Sequence, residues 1–112
     1  MVKVRNIITI IVIIVSTLYI LNRATKGREL AGYNKLAAES IMHKDYDKAI
    51  EYYQKIIDEN PNIAGAYLGI AMSYYGQNEN EKAISYCNQA ATVNPSIIDT
   101  KAYELCNRIT RR

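Results

Sequence analysis

The sequence predicts an all-α chain, one apolar helix followed by a short array of paired helices, and three observations carry that prediction. From Asn6 to Asn22 no residue is charged, and Ile7 to Leu21 is dominated by Ile and Val. From Leu30 to Ile97 the chain repeats itself: Ala49 and Pro61 recur as Ala83 and Pro95, an offset of 34 residues. Apolar residues within the repeating part fall at helical spacing, as in Tyr33, Leu36, Ala37 and Ile41.

As a helix, Asn6 to Asn22 extends about 25 Å at roughly 1.5 Å per residue, near the short end of what crosses a bilayer. Its β-branched residues are no obstacle. In lipid, unpaired backbone groups are so costly that an apolar segment becomes helical whatever its propensity in water. Arg5 and Arg23 can snorkel to the two interfaces, and Tyr19 lies near one of them. A cleavable secretory signal shares the basic start and the apolar run, but it needs small residues at two alternate sites afterwards. The only candidate, Thr25-Lys26-Gly27, is crowded by Arg23 and Lys26. A retained single-pass anchor over residues 1–22 is therefore expected. Lys3 and Arg5 precede the span while Arg23, Lys26, Arg28 and Lys35 follow it, a small excess that favours the repeats on the cytosolic side. Thr9, Ser16 and Arg23 lie seven apart on one stripe, which suits either helix pairing in lipid or hydroxyls that bond their own backbone.

Charge divides the chain in the same place. The first 28 residues hold Lys3, Arg5, Arg23, Lys26 and Arg28 and no acid, whereas residues 29–112 hold nine bases against eleven acids. The basic excess flanks the apolar stretch, so it points to a membrane surface and not to nucleic acid. A clustered basic face with interleaved aromatics is missing from the repeats, which argues against a nucleic-acid partner. Tyr occurs ten times and Phe and Trp not at all, a bias that suits half-buried rings whose hydroxyls reach the edge.

After the apolar stretch, residues 23–29 read as a polar juxtamembrane linker, with Gly27 and Gly32 able to break or bend a helix. A helix from about Arg28 to Met42 follows. Asp45 or Asp47 can cap the next, which continues to Asp58 or Glu59 and is stopped by Asn60-Pro61. The second pair spans about Asn62 to Tyr75 and Glu79 to Val93, stopped by Asn94-Pro95. Ser96 is expected to cap a fifth helix. Its apolar stripe would be Ile98, Ala102, Leu105, Cys106 and Ile109, with Lys101, Glu104, Arg108 and Arg111 on the wet side.

The segment from Asp45 to Pro61, laid over Glu79 to Pro95, resembles the tetratricopeptide repeat. In the first unit, residues 30–63, the resemblance rests on Tyr33, Leu36, Ala37, Ala49, Tyr53, Ile56 and Pro61. The second unit, residues 64–97, matches better, with Tyr67, Ile70, Ala71, Tyr74, Ala83, Cys87, Ala90 and Pro95. Two departures stand out in the first unit. Ser40 replaces an aromatic residue, and Lys44 stands where the family's turn prefers Gly; Asn78 holds that place in the second unit. Asn tolerates a left-handed backbone and Lys pays more for it.

The resemblance implies a helical solenoid of two helix pairs plus an end helix over residues 98–112, and binding in place of catalysis. It implies a concave groove lined by the first helix of each pair: Asn34, Ala38, Ile41 and Met42, then Gly65, Leu68, Met72 and Tyr75. That surface is largely apolar, and Met42 and Met72 would adapt to an amphipathic helix or an apolar peptide. Some members hold a C-terminal carboxylate with Lys, Asn and Arg. Here Asn34 is present, but Ala38, Gly69, Asp99 and Tyr103 occupy the other clamp positions. The competing reading has the same apolar residues packed within the protein or against a fixed neighbour. Two repeats also fall below the usual minimum of about three, so the end helix, a partner, a second copy or the juxtamembrane segment must complete the core.

Chemistry-bearing residues are sparse. The single histidine, His43, falls at a helix C-terminus where a cation is mildly favoured, and the acids Asp45, Asp47, Asp58 and Glu59 read as caps and solvated surface. With no glycine-rich phosphate loop and no acid pair set in a pocket, no enzyme, cofactor, metal or small-molecule substrate is expected. Cys87 and Cys106 lie too far apart for a metal motif. Cys87 takes a core position of the family, so a buried free thiol is expected, with a bridge to the end helix open to a domain in an oxidising compartment. The functional expectation is a membrane-anchored adaptor that docks a protein or peptide partner. A structural subunit of a larger membrane complex has the same sequence features, and the layout is also similar to that of mitochondrial outer-membrane import receptors.

Overall fold

The structure, a computed structural model, describes residues 3–111. Its elements are α1 (Val4–Met42), α2 (Tyr46–Glu59), α3 (Ala64–Gly76), α4 (Asn80–Val93), two 3₁₀ turns (Pro95–Asp99 and Lys101–Tyr103) and α5 (Glu104–Thr110), with no strand among the described residues. Contacts divide the chain into a unit ending at Ala31 and a unit beginning at Gly32.

In the first unit the apolar side chains from Ile7 to Leu21 are exposed. Among the described residues α1 is the one helix long and apolar enough to cross a membrane, with a mean hydropathy of 2.2 in its most apolar window. Its hydroxyls are turned onto the backbone: Thr9 donates to the Asn6 carbonyl at 2.8 Å, Ser16 to Val12 at 2.6 Å and Thr17 to Ile13 at 2.6 Å. The backbone-bonding role of Thr9 and Ser16 is thus seen directly. The polar connector is helical as well, since α1 continues through Gly27 and Gly32. A lone glycine costs a helix only about 1 kcal/mol relative to Ala, less than nucleating a new helix.

In the second unit, the ends of the helices follow one local code used twice. The first helix of each pair closes with a residue in the left-handed region, Lys44 at φ 59° and Asn78 at φ 61°. At the first closure the Lys44 N–H donates to the Ile41 carbonyl at 2.9 Å and the Asp45 N–H to Ser40 at 2.8 Å; at the second, Asn78 donates to Tyr75 at 3.0 Å and Glu79 to Tyr74 at 2.9 Å. This is the Schellman pattern, which satisfies the last carbonyls of a helix. The second helices end at Asn60 and Asn94, both extended, because the prolines that follow disfavour helical backbone in the residue before them.

Small residues set the crossings. Ala37, Ala49, Ala71, Ala83 and Ala90 have no exposed surface. Between α2 and α3, rings replace Cβ atoms: the Tyr53 ring lies where a Cβ on Gly69 would be, and the Tyr46 ring does the same at Gly76. The Gln77 amide adds a hydrogen bond to the Asp47 carboxylate at 2.6 Å.

The end of the chain departs from the expected single helix. Thr100 is extended, with φ −92° and ψ 151°, and separates two 3₁₀ turns. Asn94, not Ser96, makes the cap, its side-chain oxygen accepting from the Ser96 N–H at 3.3 Å and the Ser96 hydroxyl at 2.7 Å. A 3₁₀ turn takes three residues, so the apolar stripe changes register. Ile97, Tyr103, Cys106 and Ile109 are the buried set, while Ile98 and Ala102 are exposed. In that register Cys106 meets Cys87, and the two form a disulfide with Cα atoms 5.8 Å apart. The free thiol expected at Cys87 is therefore a half-cystine. The bond lies within one buried cluster that includes Tyr67, Leu68, Ala71, Ala90, Ile97 and Tyr103.

Candidate functional site

The first helix of each pair carries the groove row read from the sequence, and burial separates its members. Asn34, Ala38, Met42, Gly65 and Met72 are exposed, Ile41 and Tyr75 are half-buried, and Leu68 is 5 % exposed. Leu68 is thus a core residue. It belongs to the buried cluster that also holds Tyr103 and Cys106 of the end segment, which removes it from the open groove row. The row that remains open is methionine-rich, with Met42 80 % and Met72 44 % exposed.

On a different stripe of the same helices lie the tyrosines. In the first repeat Tyr33 stacks on Tyr52 with centroids 6.1 Å apart, and the Lys55 ammonium lies 5.4 Å from the Tyr33 ring and 5.6 Å from the Tyr52 ring. In the second repeat Tyr74 stacks on Tyr86 at 5.6 Å with the Lys82 ammonium 5.3 Å from the Tyr74 ring. Lys82 is in turn held by the Glu79 carboxylate at 2.7 Å. That hydrogen bond and charge raise the lysine's pKa above its ordinary value, while burial raises Tyr86 and Tyr53 above theirs. Every one of these shifts favours the charge state already present at neutral pH, so none creates an acid or base for chemistry.

Beside Tyr52 the first repeat has an open cleft of about 200 Å³ lined by Leu36, Glu39, Ser40, His43, Asp45, Lys48 and Tyr52. Ser40 departs from the repeat in sequence, and no site is expected there from the sequence alone. The signal was available, because each of these residues has a counterpart 34 positions later. No three of His, Cys, Asp and Glu gather to hold a metal among the described residues.

The tetratricopeptide repeat family matches residues 40–109, more than half of the chain and all of α2 to α4. Members generally act as protein-interaction modules without catalytic activity of their own. Twin Schellman closures, alanine-lined crossings and the extended Asn-Pro steps are the structural counterpart of that match, and the chain belongs to the tetratricopeptide repeat family.

Proposed function

We propose that this protein is a membrane-anchored adaptor that docks the apolar face of a helix or an apolar peptide along the open row of its first helices. The carrying observation is the exposure of Met42 and Met72 beside half-buried Ile41 and Tyr75. Thioether side chains adapt to partners of varied shape, and an exposed apolar row costs solubility unless something uses it. The exposed apolar run in α1 supports anchoring. The test is crosslinking in native membranes followed by recovery of full-length protein carrying Met42→Glu and Met72→Glu. Affinity for the partner is expected to fall by at least about a hundredfold, since each methionine buried on docking is worth about 1.5–3 kcal/mol of apolar transfer and 1.4 kcal/mol is tenfold. Recovery equal to that of the unaltered chain rejects the row as the docking surface.

The second reading, a structural subunit of a membrane complex, draws on the shortness of the array. Removing residues 1–22 separates the two. An adaptor's repeats still bind the partner, and a stitched-in subunit loses its assembly.

The Cys87–Cys106 bond favours repeats on an oxidising face of the membrane, opposite to the side favoured by the Lys and Arg counts. The flanking charges differ too little to outweigh a buried disulfide. A C-terminal alkaline phosphatase fusion, which folds only where disulfides form, is expected to be active; an inactive but expressed fusion puts the repeats in the cytosol.

A further inference from the structure

We propose that the cleft at Ser40 is a binding site for an aromatic side chain presented by a partner protein, separate from the methionine row. The second unit shows what the cleft is built to hold. There Tyr74 fills the corresponding space, stacked on Tyr86 at 5.6 Å with the Lys82 ammonium 5.3 Å from its ring. The frame around it, Ile70, Glu79, Lys82 and Tyr86, is repeated 34 residues earlier as Leu36, Asp45, Lys48 and Tyr52. The ring is missing, and of the remaining lining Glu39 and His43 stand where the second repeat has Ser73 and Gln77. Ser40 stands in the ring's place and turns its hydroxyl back onto the Leu36 carbonyl at 2.8 Å, leaving about 200 Å³.

The floor of the cleft is prepared for a ring. Tyr52 is held on one side by Tyr33 at 6.1 Å, so an arriving ring meets a positioned aromatic face. Stacking adds to what area burial alone supplies, and a cation near the ring adds further attraction. Lys48 can supply that cation from the position that Lys82 takes in the second unit.

The chain's own composition identifies the occupant as another protein. Phe and Trp are absent, and of the ten tyrosines only Tyr19 is exposed. Tyr19 lies in the apolar stretch of α1, and every tyrosine of the repeats is half-buried or buried, so a second copy presents no exposed ring from its repeats.

The test uses the full-length chain in nanodiscs, titrated with p-cresol and, in parallel, with cyclohexanol, reading the Ser40 amide and Tyr52 ring resonances. Saturable shifts at both residues are expected with p-cresol, on the order of tenfold weaker with cyclohexanol, the factor that a stack and a cation contact together supply. Ser40→Tyr, which supplies the ring from within, should abolish the shifts and raise the Tm; Ser40→Ala should leave them intact. Equal responses to both probes, shifts that survive Ser40→Tyr, or a Tm lowered by that change overturn the proposal. A photo-crosslinking residue at exposed His43 in native membranes then identifies the occupant. A second polypeptide whose crosslink disappears in Ser40→Tyr is expected, and crosslinks only between copies of this chain overturn the assignment to a partner.

Discussion

Gly69 and Tyr53 show how much of the repeat packing rests on single atoms. A methyl group at Gly69 would collide with three carbons of the Tyr53 ring, which is itself buried between helices and has little room to withdraw. Gly69→Ala is therefore expected to lose about 1–3 kcal/mol, the usual cost of overpacking, in a urea melt. Gly65, in the first turn of α3, has nothing within 4 Å of such a methyl, so Gly65→Ala should leave stability unchanged or raise it by up to about 1 kcal/mol. Tyr53 also sets an alkaline limit. Burial raises its pKa above the ordinary 10.0, so the unfolded chain gives up this proton first. The stabilisation is complete below pH 10.0 and is lost as pH rises from there through the folded value. Tyr53→Phe should flatten that alkaline decline in thermal melts between pH 9 and pH 12, a window that brackets ordinary tyrosine ionisation near 10. From sequence, Tyr53 was legible as a core position of the family. Its partner was not, because a glycine inside a helix announces flexibility and gives no sign of which ring lies on it.

Helix closures were the most legible elements, since a left-handed residue is a local requirement that leaves a local trace. Lys44 and Asn78 sit at the turn position that the family gives to Gly, and both take it with positive φ. Lysine there pays the Cβ penalty in full, about 1 kcal/mol or more, whereas asparagine pays less. Lys44→Gly is expected to stabilise the protein by about 0.5–1 kcal/mol and Asn78→Gly by a few tenths, measured as shifts in urea midpoint at constant slope. A loss of stability in Lys44→Gly would mean that the lysine side chain contributes more than its backbone costs. The end segment behaved differently. Its composition permits one amphipathic helix, but Asn94 caps a 3₁₀ turn and Thr100 is extended. That choice is made by what Tyr103 and Cys106 pack against in α3 and α4, information that no window of neighbouring residues contains.

At the scale of the whole molecule, the problem the fold has to solve is a two-repeat array with an exposed end, and the disulfide bears on that problem. A repeat read alone has an open first-helix face, which puts Leu68 at the ligand surface; in the fold it is buried in one cluster with Tyr103 and Cys106 of the end segment. The segment that does so consists of two 3₁₀ turns and a seven-residue helix, too short to be stable alone. The bond joins residues 19 apart, and closing a loop of that size removes unfolded-state entropy worth about 3 kcal/mol. Much of a small domain's net stability is at stake in that figure. Reduction is therefore expected to release the end segment before the repeats. Amide exchange under dithiothreitol should rise first across Ile97–Thr110 and then in the Leu68 region of α3, while the α2 amides from Ile50 to Ile56 keep their protection. Uniform loss of protection over α2 to α5 would show instead that the array has no stability without its clasp. Retained protection of the end segment would show that apolar burial of Ile97, Tyr103 and Ile109 is sufficient, leaving the disulfide a minor contributor to the closure.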